Sequence, residues 1–480
     1  MIPANAVPAD AIPTGLDLAA LTAYFDVRVP GRCGQLRAAL LAGGRSNLTY
    51  RVWDEASSWV VRRPPLGGLT PSAHDMSREF RVVAALAGTD VPVPDAIALC
   101  EDSTVIGAPF SVVSLVDGVV IRSREDLDSY SNAQVAQAAF GVLRALARLH
   151  AVPYAEVGLA DFGRPEGYLS RQVTRWRNQW AHVATRELTD IITLHARLRD
   201  ALPAESGAAI VHGDVRIDNA ILDPDSLGTV RALVDWEMAT LGDPLADLAL
   251  AAVYRDPAFE AVLGGSAAST SNRMPAADEL IEAYALAAGR NMVNLSFYLA
   301  LGYFKIAVIA EGIHARYLGG KTVGDGFETA GAAVPELVAA GLRALRCRGP
   351  RHQKLRALTT FGPRGRVLKY TYSVSAEIKR GKRGKKEKEA HYDHERFVYG
   401  NFFPALGPTC ARHPTEVPWH RSCLRVDRGP WSRTGPPPCP WPRIRFNPLP
   451  RATCAEVQQA PRVIAHHPSP RDARVPLLVG

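Results

Sequence analysis

Residues 210–249, IVHGDVRIDNAILDPDSLGTVRALVDWEMATLGDPLADLA, gather the side chains of this 480-residue sequence best suited to chemistry. Small and apolar residues at 208–211 lead into His212-Gly213-Asp214, and Asn219 follows five positions after Asp214. A second apolar run, 232–234, ends in Asp235-Trp236-Glu237. Two carboxylates and an amide that each follow a β-type run, with a short hairpin between them, can converge on one point. One carboxylate can accept the proton of an attacking hydroxyl. An amide oxygen and the second carboxylate can hold Mg2+ against phosphates, because hard cations prefer oxygen ligands. Phosphoryl transfer needs that set. Gly213 lets the backbone turn tightly before Asp214. Alone, Asp214 reads equally well as a turn residue; the combination with Asn219 and Asp235 carries the chemical reading.

The block resembles the H-G-D-x-x-x-x-N catalytic loop of the aminoglycoside phosphotransferase and choline kinase group of small-molecule kinases. That loop parallels the H-R-D-x-x-x-x-N loop of protein kinases, and Asp235-Trp236-Glu237 stands where protein kinases have D-F-G. Within the group, the sequence is most similar to phosphotransferase-family proteins related to the kinase-like domain attached to some acyl-CoA dehydrogenases. The runs that carry the likeness are GGRSNLTYRV (43–52), VVRRPP (60–65), AHDMSREFRV (73–82) and VDWEMATLGDPLADLA (234–249). The resemblance covers about residues 16–345.

The resemblance implies a role for each matching residue, with ATP and Mg2+ as cofactors and a small-molecule hydroxyl as acceptor. Asp214 is the catalytic base or substrate-orienting carboxylate, and His212 braces its loop. Asn219 and Asp235 are the Mg2+ ligands. Gly44, Ser46 and Asn47 form a loop over the phosphates, where backbone N–H groups approach oxygen closely. Arg62 sits where kinases place the strand lysine, with Glu79 on the next helix as its ion-pair partner. Ser114, Leu115 and Val116 form the hinge whose backbone meets adenine. One departure matters: the strand cation is Arg, and no lysine precedes Lys305. Arg stays charged and binds phosphate oxygens bidentately, so the requirement for charge is met by a bulkier group.

The elements that must position these residues divide into two kinds. Apolar and β-branched runs at 36–42, 48–53, 59–62, 96–99 and 110–115 read as five strands, joined by small polar turns. Thr14 can cap a helix bearing Leu16, Leu18, Leu21 and Tyr24. Residues 72–86 read as a helix with Met76, Phe80, Val83 and Leu86 on one face. Beyond Gly118 the pattern turns helical: Val135, Ala138, Ala139, Val142, Leu143, Leu146 and Leu149 share a helical face, and helix signals continue to about 345 around the 210–247 block. The expected fold is α+β and bilobal, protein-kinase-like, with a nucleotide-binding lobe over 1–117 and a helical lobe over 118–345. Ligands often bind between such lobes.

Charge separates a third segment. Of 56 Lys+Arg and 48 Asp+Glu, residues 346–480 hold 27 and 9, a net +18, against −10 for the preceding 345. They also hold 18 of 36 prolines and 5 of 7 cysteines. The basic run at 379–388 and the Pro-rich 435–442 have no sustained period and read as a tail without a packed core. Cys410-x-x-His413 and His420-x-x-Cys423 have chelating spacing, but the flanking prolines argue against a folded zinc site. Nucleic acid is not an expected partner. The abrupt shift near Arg346 equally fits a segment read in an altered frame.

No run of 18 apolar residues occurs, since Lys305 interrupts 294–313, so no membrane span is expected. MIPANAVPAD lacks a basic and apolar leader, and seven cysteines are no disulfide framework, so a cytoplasmic protein is expected. Blander readings sit beside several residues. Glu237 and Asp243 read as helix-start or surface carboxylates, Asp247 as a brace for the loop, and His150 as a satisfied core histidine. Arg216 and Asp218 receive no chemistry. Two other functions compete with the kinase: a catalytically weak nucleotide-binding pseudokinase module, suggested by Arg62, and an interaction protein acting through the basic tail.

Overall fold

The computed structural model describes residues 13–42, 47–66, 75–320 and 326–346, together with the backbone of 355–362, 365–373 and 393–398. The first helix, α1 (Leu18–Arg28), buries Leu21 and Phe25. Asp17 caps it, accepting from the Ala20 N–H at 2.9 Å. Thr14, the expected cap, instead uses its carbonyl to accept the Tyr50 hydroxyl at 2.8 Å.

Five strands follow as one antiparallel sheet: β1 (Arg37–Ala42), β2 (Leu48–Trp53), β3 (Ser58–Arg63), β4 (Ala96–Cys100) and β5 (Phe110–Ser114), in the order β1-β2-β3-β5-β4. Asp54 closes the β2–β3 turn by accepting the Ala56 and Ser57 N–H groups, both at 2.8 Å. Period-two alternation then sorts the side chains of β3. Trp59 and Val61 enter an apolar core with Phe25, Tyr50, Val52, Phe110 and Val112. Arg63, on that same face, is satisfied by the Ile106 carbonyl at 2.8 Å and by the Gly15 carbonyl. Arg62 is thereby sent to the opposite face.

That face meets α2 (Met76–Leu86), capped by Asp75 through the Arg78 N–H at 3.0 Å. The helix starts four residues later than its sequence pattern suggests. Met76, Val83 and Leu86 are buried as expected, whereas Phe80 is only partly covered and Glu79 is buried. A carboxylate can occupy an interior helix face here because Arg62 lies opposite it.

Val82, Val83 and Leu86 of α2 belong to the second, larger core, which runs through the helical lobe. In that lobe α3 (Asn132–Ala151) opens on a capping box between Ser131 and Gln134 and buries every residue of its predicted face. Helices α4 (Tyr168–Val183) and α5 (Thr189–Asp200) lead to two antiparallel two-stranded ladders. Strand β6 (Ala209–Val211) pairs with β9 (Thr240–Gly242), and β7 (Ala220–Leu222) pairs with β8 (Val230–Leu233). Then come α6 (Pro244–Val253), α7 (Ala258–Leu263), α8 (Ala277–Ala288), α9 (Leu295–Leu318) and α10 (Ala330–Arg346). By length and composition α9 could cross a membrane, but 78% of its most apolar window is buried inside the fold. Its apolar surface is met by α4, α5, α6 and α10. The architecture is bilobal α+β, a sheet lobe followed by a larger helical lobe.

The tail departs from expectation in part. Strands β10 (Leu355–Gly362), β11 (Gly365–Ser373) and β12 (Asp393–Val398) form an antiparallel sheet of their own. Val367, Tyr370, Thr371 and Tyr372 favour extended backbone, which the compositional reading of this segment passed over. The basic run at 379–388, the Cys410/His413/His420/Cys423 set and the Pro-rich 435–442 lie outside the described residues.

Candidate active site

The His212–Asn219 loop begins where β6 runs out. Gly213 adopts φ +84°, and a Cβ there would lie 2.7 Å from the Met238 carbonyl oxygen, so both conformation and space require glycine. Asp247, in α6, accepts the His212 N–H at 2.6 Å and the Gly213 N–H at 2.8 Å. Lys305 of α9 donates to the Gly213 carbonyl at 2.8 Å. His212 is fully buried, with Nε2 3.0 Å from the Val234 carbonyl and Nδ1 3.4 Å from the Asp214 N–H. A neutral imidazole that donates through Nε2 and accepts at Nδ1 satisfies both contacts. Its ring centroid is 4.6 Å from that of Trp236, so His212 links the two loops and faces no open space. His150 is a satisfied core residue, held between the Tyr284 hydroxyl at 2.6 Å and Asp247 at 3.3 Å.

The Asp214 carboxylate is approached from three sides. Oδ1 accepts the Tyr254 hydroxyl. Oδ2 accepts from Asn219 Nδ2 at 3.1 Å and faces Arg216 at 3.4 Å. Asn219 Nδ2 also donates to the Asp214 carbonyl at 2.9 Å. Burial alone would push the Asp214 carboxyl up, but Arg216, the Tyr254 hydroxyl and Lys305 outweigh it and hold it below the usual carboxylate range. A quarter of the side chain stays open (25%), so the group is reachable. Arg216 also pairs with Asp218 at 3.2 Å, where burial prevails and the carboxyl is raised.

Asp235, two residues past β8, adopts a left-handed conformation, φ 68°, a cost that persists where surrounding structure imposes it. Its backbone neighbour Val234 donates to the Asn219 carbonyl at 3.0 Å, which sets the two loops side by side. Arg62 spans the lobes, 2.8 Å from Glu79 and 2.9 Å from Asp235. The expected ion pair with Glu79 is therefore extended to Asp235. Burial raises Glu79 to about 7, against the opposing effect of Arg62 and with help from Asp235 and Glu237. Burial also opposes the charge of Arg62, but Glu79 and Asp235 prevail and stabilise it. Arg78 fastens α2 to the helical lobe through the Phe162 and Ala239 carbonyls, with its guanidinium 3.9 Å over the Phe162 ring.

Gly44 and Ser46 lie outside the described residues. The Asn47 side chain turns inward, its Nδ2 3.4 Å from Glu79 and 3.5 Å from Glu237. At the hinge, the Ser114 and Leu115 N–H groups already donate to the Asp95 and Ser58 carbonyls, at 2.9 and 3.3 Å, and Val116 follows them. Asp243 does start a helix but is no surface carboxylate: it is fully buried, accepting from Leu245, Ser206 and the Tyr298 hydroxyl. The sequence reading missed Tyr254, Lys305 and the ion pairs of Arg216. Tyr254 stands seven positions after Asp247 on the same helical face, and Lys305 is a lone charge in an apolar helix; both were available signals.

The profile of the phosphotransferase enzyme family matches residues 37–284, which include Arg62, Glu79 and the whole catalytic block. Acyl-CoA dehydrogenase family member 11 of Gallus gallus is 35% identical over 337 residues, covering 68% of this chain and 43% of that protein. Its Homo sapiens counterpart is 33% identical over 328 residues, covering 66% and 42%. The chain thus spans less than half the length of these relatives. A crystal structure of a candidate aminoglycoside phosphotransferase from Ralstonia eutropha is similar with a TM-score of 0.59 and 31% identity, covering 69% of this chain and 98% of that one.

Proposed function

Because the chain belongs to the phosphotransferase enzyme family, we propose that it transfers the γ-phosphoryl group of ATP, held with Mg2+, to a hydroxyl of a small-molecule acceptor. The observation that carries this reading is the grouping of Asp214, Asn219 and Asp235 across two adjoining loops, with Arg62 reaching Asp235 from the sheet lobe.

The donor set suits Mg2+, which takes few protein oxygens and fills its shell with water and substrate phosphates. Asn219 uses its amide nitrogen on Asp214, so its oxygen is the end left to meet a cation. Asp235 adds a carboxylate whose side chain is 27% exposed. When bound, the ion would neutralise charge on the phosphates. Arg62 would attract the same phosphates, held upright by Glu79. Asp214 would orient the acceptor hydroxyl and receive its proton, while His212, Asp247 and Lys305 keep that loop fixed. With Ser114 and Leu115 N–H groups engaged, the hinge contact to adenine would fall to Val116 and the hinge carbonyls.

Calorimetry with Mg·ATP, followed by a phosphoryl-transfer screen over hydroxylated metabolites, tests the proposal. Binding that vanishes in Asp235→Ala and a transferred phosphate support it; a wild-type chain that binds no nucleotide sinks it. One observation favours a second reading. The Arg62–Asp235 ion pair ties up the carboxylate that would ligate the cation, as suits a weakly catalytic nucleotide-binding module. Nucleotide binding without transfer to any acceptor, water included, would select that reading.

A further inference from the structure

The hold on Asp214 is built largely by one helix. Asp247 and Tyr254 are seven residues apart, two turns along one face, and reach the catalytic loop at different points. Asp247 takes the backbone N–H groups of His212 and Gly213, and Tyr254, at the helix's C-terminal cap, takes the Asp214 side chain. The Tyr254 ring is fixed in turn: it is 4% exposed, lies 4.5 Å from Phe259 between centroids and has the Arg216 guanidinium 5.5 Å over its face. The helix itself is seated on α9 at Gly302, where an added methyl would lie 3.1 Å from the Val253 side chain. Burial and the Asp214 charge keep the Tyr254 hydroxyl protonated, so it acts as a donor.

An ionised carboxylate has about four lone-pair sites. Oδ2 of Asp214 meets two donors, Asn219 and Arg216, whereas Oδ1 meets Tyr254. We propose that Tyr254 is a positioning residue for phosphoryl transfer, its hydroxyl holding Oδ1 of Asp214 so that the remaining lone pair of that oxygen is aimed at the acceptor hydroxyl. This rests on the kinase reading above. Packed as it is, Tyr254 does not yield Oδ1 to the acceptor but shares it. In the step so arranged, the acceptor oxygen forms a bond to the γ-phosphorus and its proton passes to Oδ1. The bond from that phosphorus to the bridging oxygen breaks, and its electron pair leaves on ADP.

The probe is Mg·ATP with the full chain, water serving as the acceptor. Tyr254→Phe keeps the ring and removes the donor. It should lower kcat for hydrolysis about 10- to 100-fold, the loss that misorientation of a reacting group produces, with KM for ATP within about twofold. In an Asp214→Ala background the same change should cost nothing further, because its effect passes through that carboxylate. An unchanged kcat in Tyr254→Phe, a KM that rises in step with the loss, or a full additional loss beside Asp214→Ala would overturn the proposal. A crystal structure of Tyr254→Phe supplies an arm that needs no turnover: the Asp214 carboxylate should be rotated, and an unmoved carboxylate overturns the proposal. A wild-type chain that neither binds nor hydrolyses Mg·ATP would defeat the kinase reading separately, and the crystal structure would still decide whether Tyr254 orients Asp214.

Discussion

At the scale of single residues, charge in this site is held by neighbours rather than by water. Asp214 stays ionised in a buried loop because Arg216, Tyr254 and Lys305 together exceed the penalty of burial. Asp214→Ala should reduce phosphoryl transfer about 10²- to 10⁴-fold, the usual contribution of a positioned proton acceptor. Steady-state kinetics would check this, and full activity in the variant would remove Asp214 from the reaction. Glu79 shows the opposite balance. Burial raises it from an ordinary 4.5 to about 7, so the folded chain binds that proton more tightly than the unfolded chain does. Stability contributed by the protonated group is therefore present below about pH 4.5 and declines as pH rises to about 7. Relative to Glu79→Gln, the wild-type chain should lose stability across that window and run parallel to the variant above it. Urea melts at a series of pH values measure the difference; a gain with rising pH would mean that Arg62 outweighs burial.

At the scale of elements, the His212–Asn219 loop is a short connection clamped by two helices. Asp247→Ala would strip α6 of its hold and leave the His212 and Gly213 N–H groups without their acceptor. Unpaired buried donors cost about 1–3 kcal/mol each, so the midpoint of denaturant unfolding should fall by an amount equal to at least about 2 kcal/mol, with an unchanged slope. A midpoint that stays in place would show that Lys305 and His212 hold the loop unaided. Much of this layer is legible in sequence. Alternation along β3 sends Arg62 and Arg63 to opposite faces, and the apolar spacing of α3 marks its buried side residue by residue. The burial of Glu79 does not follow from the helical pattern, which assigns a carboxylate to solvent; only the family resemblance, which pairs it with Arg62, pointed to it. Phe80 is misassigned because Glu79 beside it, and not Phe80, turns to the interior.

At the scale of the whole molecule, the two described cores draw all their residues from positions 16–344. A chain ending at Arg346 keeps every residue of both described cores, so we expect it to keep its Tm within a few degrees and the Mg·ATP affinity of the full chain, as proposed above, within about twofold. Thermal melts and calorimetry on the shortened chain measure both, and a large drop in either would show that the basic segment packs on the body.

Local information in the sequence determined the element types, the faces they bury and the residue kinds at the catalytic loop, because periodicity and turn chemistry act over a few residues. Beyond the Arg62–Glu79 pair, which the family resemblance implied, the tertiary structure decided which polar and charged groups meet. Tyr254 reaches Asp214 across 40 positions, Lys305 reaches Gly213 across 92, and Arg62 reaches Asp235 across 173. Such partners are selected by how α6 and α9 pack and how the two lobes close on each other, and a buried charge takes whichever opposite group that packing brings within a few ångströms.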